Sequence, residues 1–310
     1  MNRHIFLPGL AAFALVLSGV TGLVAERAGR VVGAPQTLPI VFSEGFQGPE
    51  SALYDPETDM YLVSNINGGA TDKDDNGFIS RITFDTKNYE MRWIDGAAAD
   101  ITLHGPKGMA FRGNLLLVAD IDTVRLFDRK TGRPAGAWPV PNATFLNDLA
   151  VGPGGILYAT DTAITLGGGQ PQPQGTAKIY RFESDQKVPT TLASGEGLSG
   201  PNGIVVTSEG PVFVTFLSDK IMRVKAKDAA PETIATLPSG QLDGIERLSD
   251  GSYVVTSWAA GAVFRVSAGG QARQIIGGLI SPADLGVDTK RGRLLIPELT
   301  KNTLHIASLN

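Results

Sequence analysis

A short phrase recurs six times along this chain of 310 residues, and its spacing limits the folds that the chain can adopt. The copies, each with a second position that is mostly polar, are Pro49-Glu50-Ser51-Ala52, Pro106-Lys107-Gly108-Met109, Leu146-Asn147-Asp148-Leu149, Pro201-Asn202-Gly203-Ile204, Leu242-Asp243-Gly244-Ile245 and Pro282-Ala283-Asp284-Leu285. Neighbouring copies start about 40 residues apart, with two longer intervals of about 55, and a period near 40 is typical of propeller blades. The repeat therefore predicts an all-β, six-bladed β-propeller with four-stranded blades.

The fourth copy contains four short stretches with the composition of β-strands. They cover 203–206, 211–216, 220–225 and 233–237. These stretches are rich in Val, Ile and Phe, and Gly, Asp and Ser separate them, as in a meander of short strands. We expect each copy to form one such blade.

The sixth copy predicts three strands, over 285–287, 294–296 and 303–306. A blade that lacks its outer strand exposes unpaired backbone groups. The segment 38–43 precedes the first copy and belongs to none of the six. We therefore expect this segment to pair with 303–306 and to close the ring.

The first residues differ in composition from the repeats. A basic start precedes an apolar run that ends in small residues, which is typical of a secretory signal peptide cleaved near Gly22 or Ala25. An uncleaved membrane anchor is the alternative, because the run approaches spanning length. After cleavage we expect no stable membrane insertion, and an exported protein in the periplasm or outside the cell. The predicted organisation is a signal peptide at 1–25, a linker at 26–37 and a propeller domain at 38–310.

Charge and cysteine content restrict the partners of the protein. The net charge is −4 and the pI is about 5.5, so the basic surface that nucleic-acid binding requires is not expected. The chain contains no cysteine, which excludes disulfides and thiolate metal ligands. We expect a monomer that binds a small molecule.

The second position of the repeated phrase is rich in side-chain oxygen. It holds Glu50, Asn147, Asn202 and Asp243 in four of the six copies. Equivalent innermost positions of a closed propeller face the central channel. Two carboxylates and two carboxamides suit a hard cation that prefers oxygen ligands. We therefore predict one divalent cation, with calcium as the first choice and magnesium, manganese or zinc as alternatives; a wet polar channel without metal is the competing interpretation.

The two long intervals contain insertions between the second and third strands of their blades, at 65–77 and 161–177. In a propeller these loops open on the same face as the segments that lead into the first strand. Both insertions should therefore border the polar ring, where loops commonly carry binding residues.

Four other residues are candidates for contact with a substrate. Lys107 occupies the second position in blade two, where it would contact an oxyanion or neutralise Asp148 or Asp120. His104, Trp258 and Phe216 are expected near the mouth of the channel. Surface hydrogen bonding for His104 and packing between blades for the two aromatic residues are the simpler alternatives.

Several of these phrases resemble the metal-site phrases of the gluconolactonase and regucalcin (senescence marker protein) family, which takes in diisopropyl fluorophosphatase and bacterial lactonases. The phrases are Gly48-Pro49-Glu50, Leu146-Asn147-Asp148, Gly200-Pro201-Asn202-Gly203 and Leu242-Asp243-Gly244. The resemblance covers about residues 45–300 and implies a six-bladed propeller with a divalent cation in its channel. It implies that Glu50, Asn202 and Asp243 are core ligands and that Asn147 binds metal or substrate. One departure is that Glu50 follows a proline, whereas the family glutamate usually precedes one.

The resemblance also implies a chemistry, in which the metal polarises a lactone carbonyl or a phosphoryl oxygen and a carboxylate activates water. Asp243 is the first candidate for that carboxylate and Asp148 the second. The expected function is divalent-metal-dependent hydrolysis of lactones or related esters. A non-catalytic binding or scaffold module with a structural ion is the main alternative, and a quinone-dependent oxidoreductase is a third.

Overall fold

The structure, a computed structural model, describes residues 39–165, 172–173 and 175–309. These residues form six four-stranded antiparallel sheets and one two-stranded hairpin. None of the helices in this part of the chain is long and apolar enough to cross a membrane. The predicted signal peptide at 1–25 and linker at 26–37 lie outside the described residues.

The strands are short and follow one another along the chain. In order they are β1 (Ile40–Phe42), β2 (Pro49–Asp55), β3 (Met60–Asn65), β4 (Phe78–Thr83), β5 (Tyr89–Asp95), β6 (Pro106–Arg112), β7 (Leu115–Asp120), β8 (Thr123–Asp128), β9 (Pro134–Pro139), β10 (Leu146–Val151), β11 (Leu157–Asp161), β12 (Ile164–Thr165), β13 (Gln172–Pro173), β14 (Lys178–Phe182), β15 (Thr190–Ser194), β16 (Pro201–Thr207), β17 (Gly210–Thr215), β18 (Lys220–Arg223), β19 (Glu232–Thr236), β20 (Leu242–Arg247), β21 (Tyr253–Ser257), β22 (Ala262–Val266), β23 (Ala272–Gly277), β24 (Gly286–Asp288), β25 (Arg293–Glu298) and β26 (Thr303–Ser308).

The sheets confirm the predicted six-bladed β-propeller. Blades one to five are β2–β5, β6–β9, β10 with β11, β14 and β15, β16–β19, and β20–β23. Each begins with one copy of the repeated phrase, and β16–β19 overlap the four strands predicted for the fourth copy. The hairpin β12–β13 belongs to the insertion of blade three.

Blade six is completed from the other end of the chain, as predicted. β1 pairs with the outer side of β26, and Phe42 lies opposite Leu304. The Phe42 side chain is buried, and its ring packs edge-on against Phe46 at 5.6 Å between centroids. The pairing removes the exposed edge that the last blade would otherwise have.

The ring is also joined on its inner side, where blade six meets blade one. The Asp284 N–H donates to the Glu50 carbonyl at 2.9 Å, and the Ala52 N–H donates to the Asp284 carbonyl at 3.1 Å. The first and last inner strands are therefore held together by backbone hydrogen bonds at the channel wall. This contact fixes the position of Glu50 relative to the other blades.

Apolar side chains between the blades form the core. Six clusters of buried residues occur, one at each interface between neighbouring blades. Leu62 of β3 and Leu116 of β7, for example, pack together between blades one and two. Because both faces of most sheets are covered by a neighbour, their strands are apolar on both sides.

Candidate metal centre

The second and third positions of the repeated phrase lie in a β-bulge at the start of the inner strand. In blade one the pairing of β2 with β3 shifts between Pro49 and Ala52. Glu50 and Ser51 therefore face a single residue, Ser64, on β3. The same shift occurs in the inner strands of blades two to five. A bulge changes the direction of side chains relative to a regular strand, and here it turns the second position toward the channel mouth.

Hydroxyl groups on the neighbouring strand hold these bulges in place. The Thr160 hydroxyl accepts the N–H of Asp148 at 3.0 Å and donates to the carbonyl of Asn202 in the next blade at 2.8 Å. Thr256 makes the equivalent two bonds between blades five and six, at 2.7 and 3.0 Å. The hydroxyls satisfy backbone groups that the bulge leaves unpaired, and they join blade three to blade four and blade five to blade six.

The structure brings the four predicted ligands together around one cavity of about 280 Å³. Glu50, Asn147, Asn202 and Asp243 each come from a different blade, and their exposed fractions are 5%, 3%, 2% and 3%. The insertion at 65–77 contributes part of the rim, and so does the described part of the insertion at 161–177. Both insertions therefore border the ring, as expected.

Each of the four side chains presents one buried oxygen that has no hydrogen-bond partner. These atoms are Glu50 Oε2, Asn147 Oδ1, Asn202 Oδ1 and Asp243 Oδ1. Buried polar atoms in native proteins almost always have a partner, and four unpartnered acceptors around one cavity are available to a cation or to water. The donor set, two carboxylates and two carboxamide oxygens, fits a hard divalent cation such as calcium.

The carboxamides are essential to this donor set. Among the described residues, no group of three or more His, Cys, Asp or Glu side chains could hold a metal ion. With the two carboxylates alone, a cation would have only two protein side chains as ligands. The amide oxygens of Asn147 and Asn202 raise the set to four, and water supplies the remaining ligands that calcium commonly takes.

Burial and mutual repulsion leave the carboxylates of the ring poorly stabilised without a cation. Burial raises the pKa of Glu50 well above its usual range, and the negative charge of Asp243 raises it further. Burial likewise raises the pKa of Asp243, with a second contribution from Asp284. A dication between the two side chains would replace repulsion by attraction and restore their ionised forms.

Lys107 lines the same cavity and is fully buried. Its ammonium donates to the carbonyls of Ala70 at 2.8 Å and Gly105 at 2.9 Å, and it lies 4.6 Å from the centre of the Phe145 ring. Burial lowers the pKa of Lys107, and the charge of Glu50 opposes that shift. The side chain therefore fastens the blade-one insertion to the wall of the cavity and adds positive charge close to Glu50.

Asp148 follows Asn147 in the sequence but lies in a different part of the channel. Its carboxylate accepts the N–H groups of Leu149 and of Ile204 in the next blade, both at 2.7 Å. It lines a second cavity, of about 340 Å³, together with Ser51 and Asp284. It is absent from the described lining of the first cavity, so the structure does not bring this candidate catalytic residue to the ring.

His104 also lies outside the described lining of the cavity. Its Nδ1 accepts the backbone N–H of Asp75 at 3.1 Å. The side chain is 11% exposed and holds the insertion of blade one from the blade-two side. This contact is the hydrogen-bonded role given above as the simpler alternative for His104.

Trp258 and Phe216 do line the cavity, and their rings meet edge to face at 5.3 Å between centroids. The indole Nε1 of Trp258 is buried and makes no hydrogen bond. It is nevertheless near enough to Asp243 to lower the pKa of that carboxyl, against the larger opposing effect of burial. An unpartnered donor therefore stands beside the unpartnered acceptors of the ring.

Sequence reasoning missed several apolar residues of the cavity wall. Phe145 immediately precedes the third copy of the phrase, and Leu299 lies in a short 3-10 turn after β25. Phe145 could have been found, because it stands next to a predicted inner strand. Leu299 carries no comparable signal, since a single leucine in a turn looks like any partly exposed apolar residue.

Comparison with known proteins places this geometry in context. Residues 48–277 match the model of a family described as the SMP-30/gluconolactonase/LRE-like region. No protein of curated function matches the chain by sequence.

Solved structures with the same architecture include enzymes of more than one kind. A gluconolactonase from Xanthomonas campestris superimposes with a TM-score of 0.65 at 15% identity, over 88% of this chain and 90% of its own. A luciferin-regenerating enzyme gives a TM-score of 0.61 at 12% identity, over 88% and 96%. A virginiamycin B lyase from Staphylococcus aureus gives 0.59 at 14%, over 88% and 99%. At identities this low, the similarity shows a shared fold and nothing more.

Proposed function

The chain belongs to the SMP-30/gluconolactonase/LRE-like family, and on that premise we propose that it is a divalent-metal-dependent hydrolase of lactones or related esters. The observation that carries the proposal is the set of four unpartnered oxygens that converge on one cavity from four blades. A fold of this kind supports many functions, so the proposal rests on these side chains.

Glu50, Asn147, Asn202 and Asp243 would hold the cation, which we propose to be calcium. When bound, it supplies Lewis acidity to a carbonyl oxygen of the substrate. Magnesium, manganese and zinc are the alternatives. The same four residues keep the cation at the base of the cavity, below the apolar wall.

Asp243 is the proposed general base. It belongs to the ring and is buried, and its carboxylate has two oxygens, so that one would bind the cation while the other takes a proton from a water molecule. Trp258 presents its N–H to the same cavity beside Asp243, where it would donate to that carboxylate or to an oxygen of the ester group. Asp148 is assigned a positioning role, because both of its oxygens accept backbone N–H groups.

A panel of lactones and esters, assayed on metal-stripped protein with calcium, magnesium, manganese or zinc added back, tests this proposal. We expect turnover of at least one lactone that depends on the added metal. If a metal binds and raises the melting temperature but no lactone or ester is hydrolysed, the protein is a binding module with a structural ion.

A further inference from the structure

The wall of the cavity above the oxygen ring is almost entirely apolar. Its side chains come from both insertions, from the segments before the inner strands and from the ends of second strands; they are Ile66, Phe145, Ile164, Phe216, Trp258 and Leu299. Among the described residues that line the cavity, Lys107 and Trp258 are the only ones outside the ring whose side chains carry a hydrogen-bonding group.

One of these two groups is already occupied. The Lys107 ammonium donates to the carbonyls of Ala70 and Gly105. The indole N–H of Trp258 makes no hydrogen bond of ordinary geometry, but it lies close enough to Asp243 to lower the pKa of that carboxyl. Above the ring, a ligand therefore meets mainly apolar side chains, together with the backbone of Gly48, Gly68 and Gly69.

An apolar wall of this kind binds lactones with hydroxyl groups and lactones with alkyl groups unequally. A hydroxyl group that moves from water to an apolar wall without a new partner loses binding by about tenfold or more. A methylene group that becomes fully buried gains about fourfold. The cavity volume of about 280 Å³ is at the lower end of ligand sites, which also limits the ligand to a compact molecule.

From this wall we infer that the site takes a compact lactone or ester with an apolar substituent and selects against polyhydroxylated sugar lactones. The inference rests on the proposed function and names the substrate class of the same site. The ester group lies at the oxygen ring, where Trp258 donates to one of its oxygens. The apolar substituent occupies the space between the two insertions, beside Ile66, Ile164 and Leu299.

Three lactones with the same six-membered ring test the inference: δ-nonalactone, δ-valerolactone and D-glucono-δ-lactone. Their kcat/KM values are measured on calcium-loaded protein, and each is divided by the rate of uncatalysed hydrolysis at the same pH. We expect the alkyl lactone to be preferred over the sugar lactone by at least about tenfold, with the unsubstituted ring between them. A sugar lactone that equals or exceeds the alkyl lactone overturns the inference.

A matched pair of variants locates the preference in the wall. Leu299 is half-buried in a surface turn, so substitutions there leave the core intact. Leu299→Gln introduces polar groups and should reduce the preference for the alkyl lactone several-fold, whereas Leu299→Met, which keeps an apolar side chain of similar volume, should retain it. An unchanged preference in Leu299→Gln contradicts the placement of the substituent.

Binding of non-hydrolysable analogues separates this inference from the proposed hydrolysis. The matched lactams, δ-nonalactam and D-glucono-δ-lactam, are titrated calorimetrically into the metal-loaded protein. If no lactone is turned over but the alkyl lactam binds more tightly, the proposed function fails and the inference stands. If the sugar lactam binds equally or better, or if neither lactam binds, the inference fails whether or not hydrolysis occurs.

Discussion

The second and third positions of the repeated phrase are neighbours along the chain, yet they line two different regions of the channel. The second positions leave four oxygens without partners around the upper cavity. In the third positions the carboxylates are bonded within the protein. Asp284 accepts the hydroxyl of Ser51 at 2.5 Å, and Asp148 accepts the N–H of Ile204 at 2.7 Å.

Adjacent residues of the repeated phrase therefore have two different roles in the channel. Adjacent residues of the bulge point into separate cavities. The acids of the third position join neighbouring inner strands and consume their own hydrogen-bonding capacity. The acids and amides of the second position keep theirs for a ligand. A buried carboxylate of this channel is therefore bonded within the protein or keeps an unpartnered oxygen according to its position in the repeated phrase.

The largest expected effect comes from Asp243→Asn, which should lower kcat for lactone hydrolysis about a hundred- to ten-thousand-fold. The substitution keeps the size and one oxygen ligand but removes the proton acceptor, and loss of a general base typically costs this much. Metal binding is measured in the same variant, since a weaker ion would contribute to the loss. His104→Ala is the comparison, and we expect near-normal turnover because His104 bonds the backbone of Asp75. Wild-type turnover in Asp243→Asn with an inactive His104→Ala would contradict the mechanism.

Replacement by alanine should affect the stability of the metal-free protein differently at Asp148, a third position of the phrase, and at Asp243, a second position. Asp148→Ala leaves two buried N–H groups without their acceptor, and each such loss costs about 1–3 kcal/mol. Asp243→Ala removes a buried carboxylate whose charged form is repelled, so the free energy of unfolding should stay constant or increase. Urea denaturation of both variants checks the contrast, and equal destabilisation would show that the two regions do not differ as described.

A further expected effect is the pH dependence of stability in the metal-free protein. Burial raises the pKa of Asp284 to about 7, although its hydrogen bond from Ser51 opposes the shift. The ordinary value, for the unfolded chain, is about 4. The folded state therefore holds the proton more tightly, and this contribution to stability is present below about pH 4 and lost as the pH rises to about 7.

Denaturant midpoints at several pH values measure how the stability of the metal-free protein changes with pH. Asp284→Asn serves as the control, because it can still accept the Ser51 hydroxyl but does not titrate. Its midpoint should depend less on pH between about pH 4 and 7. Identical slopes for the two proteins would exclude Asp284 as the source.

Much of the architecture could be predicted from the sequence because the fold repeats. The repeated phrase set the number of blades, the segment before it supplied the closing strand, and the polar second position located the ring. The direction of the Asp148 side chain could not be predicted in the same way, because it depends on a β-bulge that has no recognisable signal in the sequence. Thr160 and Thr256, which hold the bulges, look like ordinary strand residues until their partners in the next blade are known.

The hydrogen-bond partners of Lys107 could not be predicted from the sequence either, because one of them is distant along the chain. Contact of Lys107 with a substrate oxyanion stays a prediction, whereas its hydrogen bonds within the protein go to the backbone carbonyls of Gly105 and Ala70 and not to Asp148 or Asp120. Asp120 is paired with Arg125 instead, at 2.8 Å. The path of an insertion over the channel mouth depends on tertiary packing.

Calorimetric titration of calcium into the metal-stripped protein tests the central claim most directly. A ligand that binds the native state must also raise its stability, so the melting temperature is followed in parallel. The account predicts one cation per chain for the wild-type protein and for Asp148→Ala, and none for the double variant Glu50→Gln, Asp243→Asn. Absence of binding and of thermal stabilisation in the wild-type protein, or undiminished binding in the double variant, would contradict it.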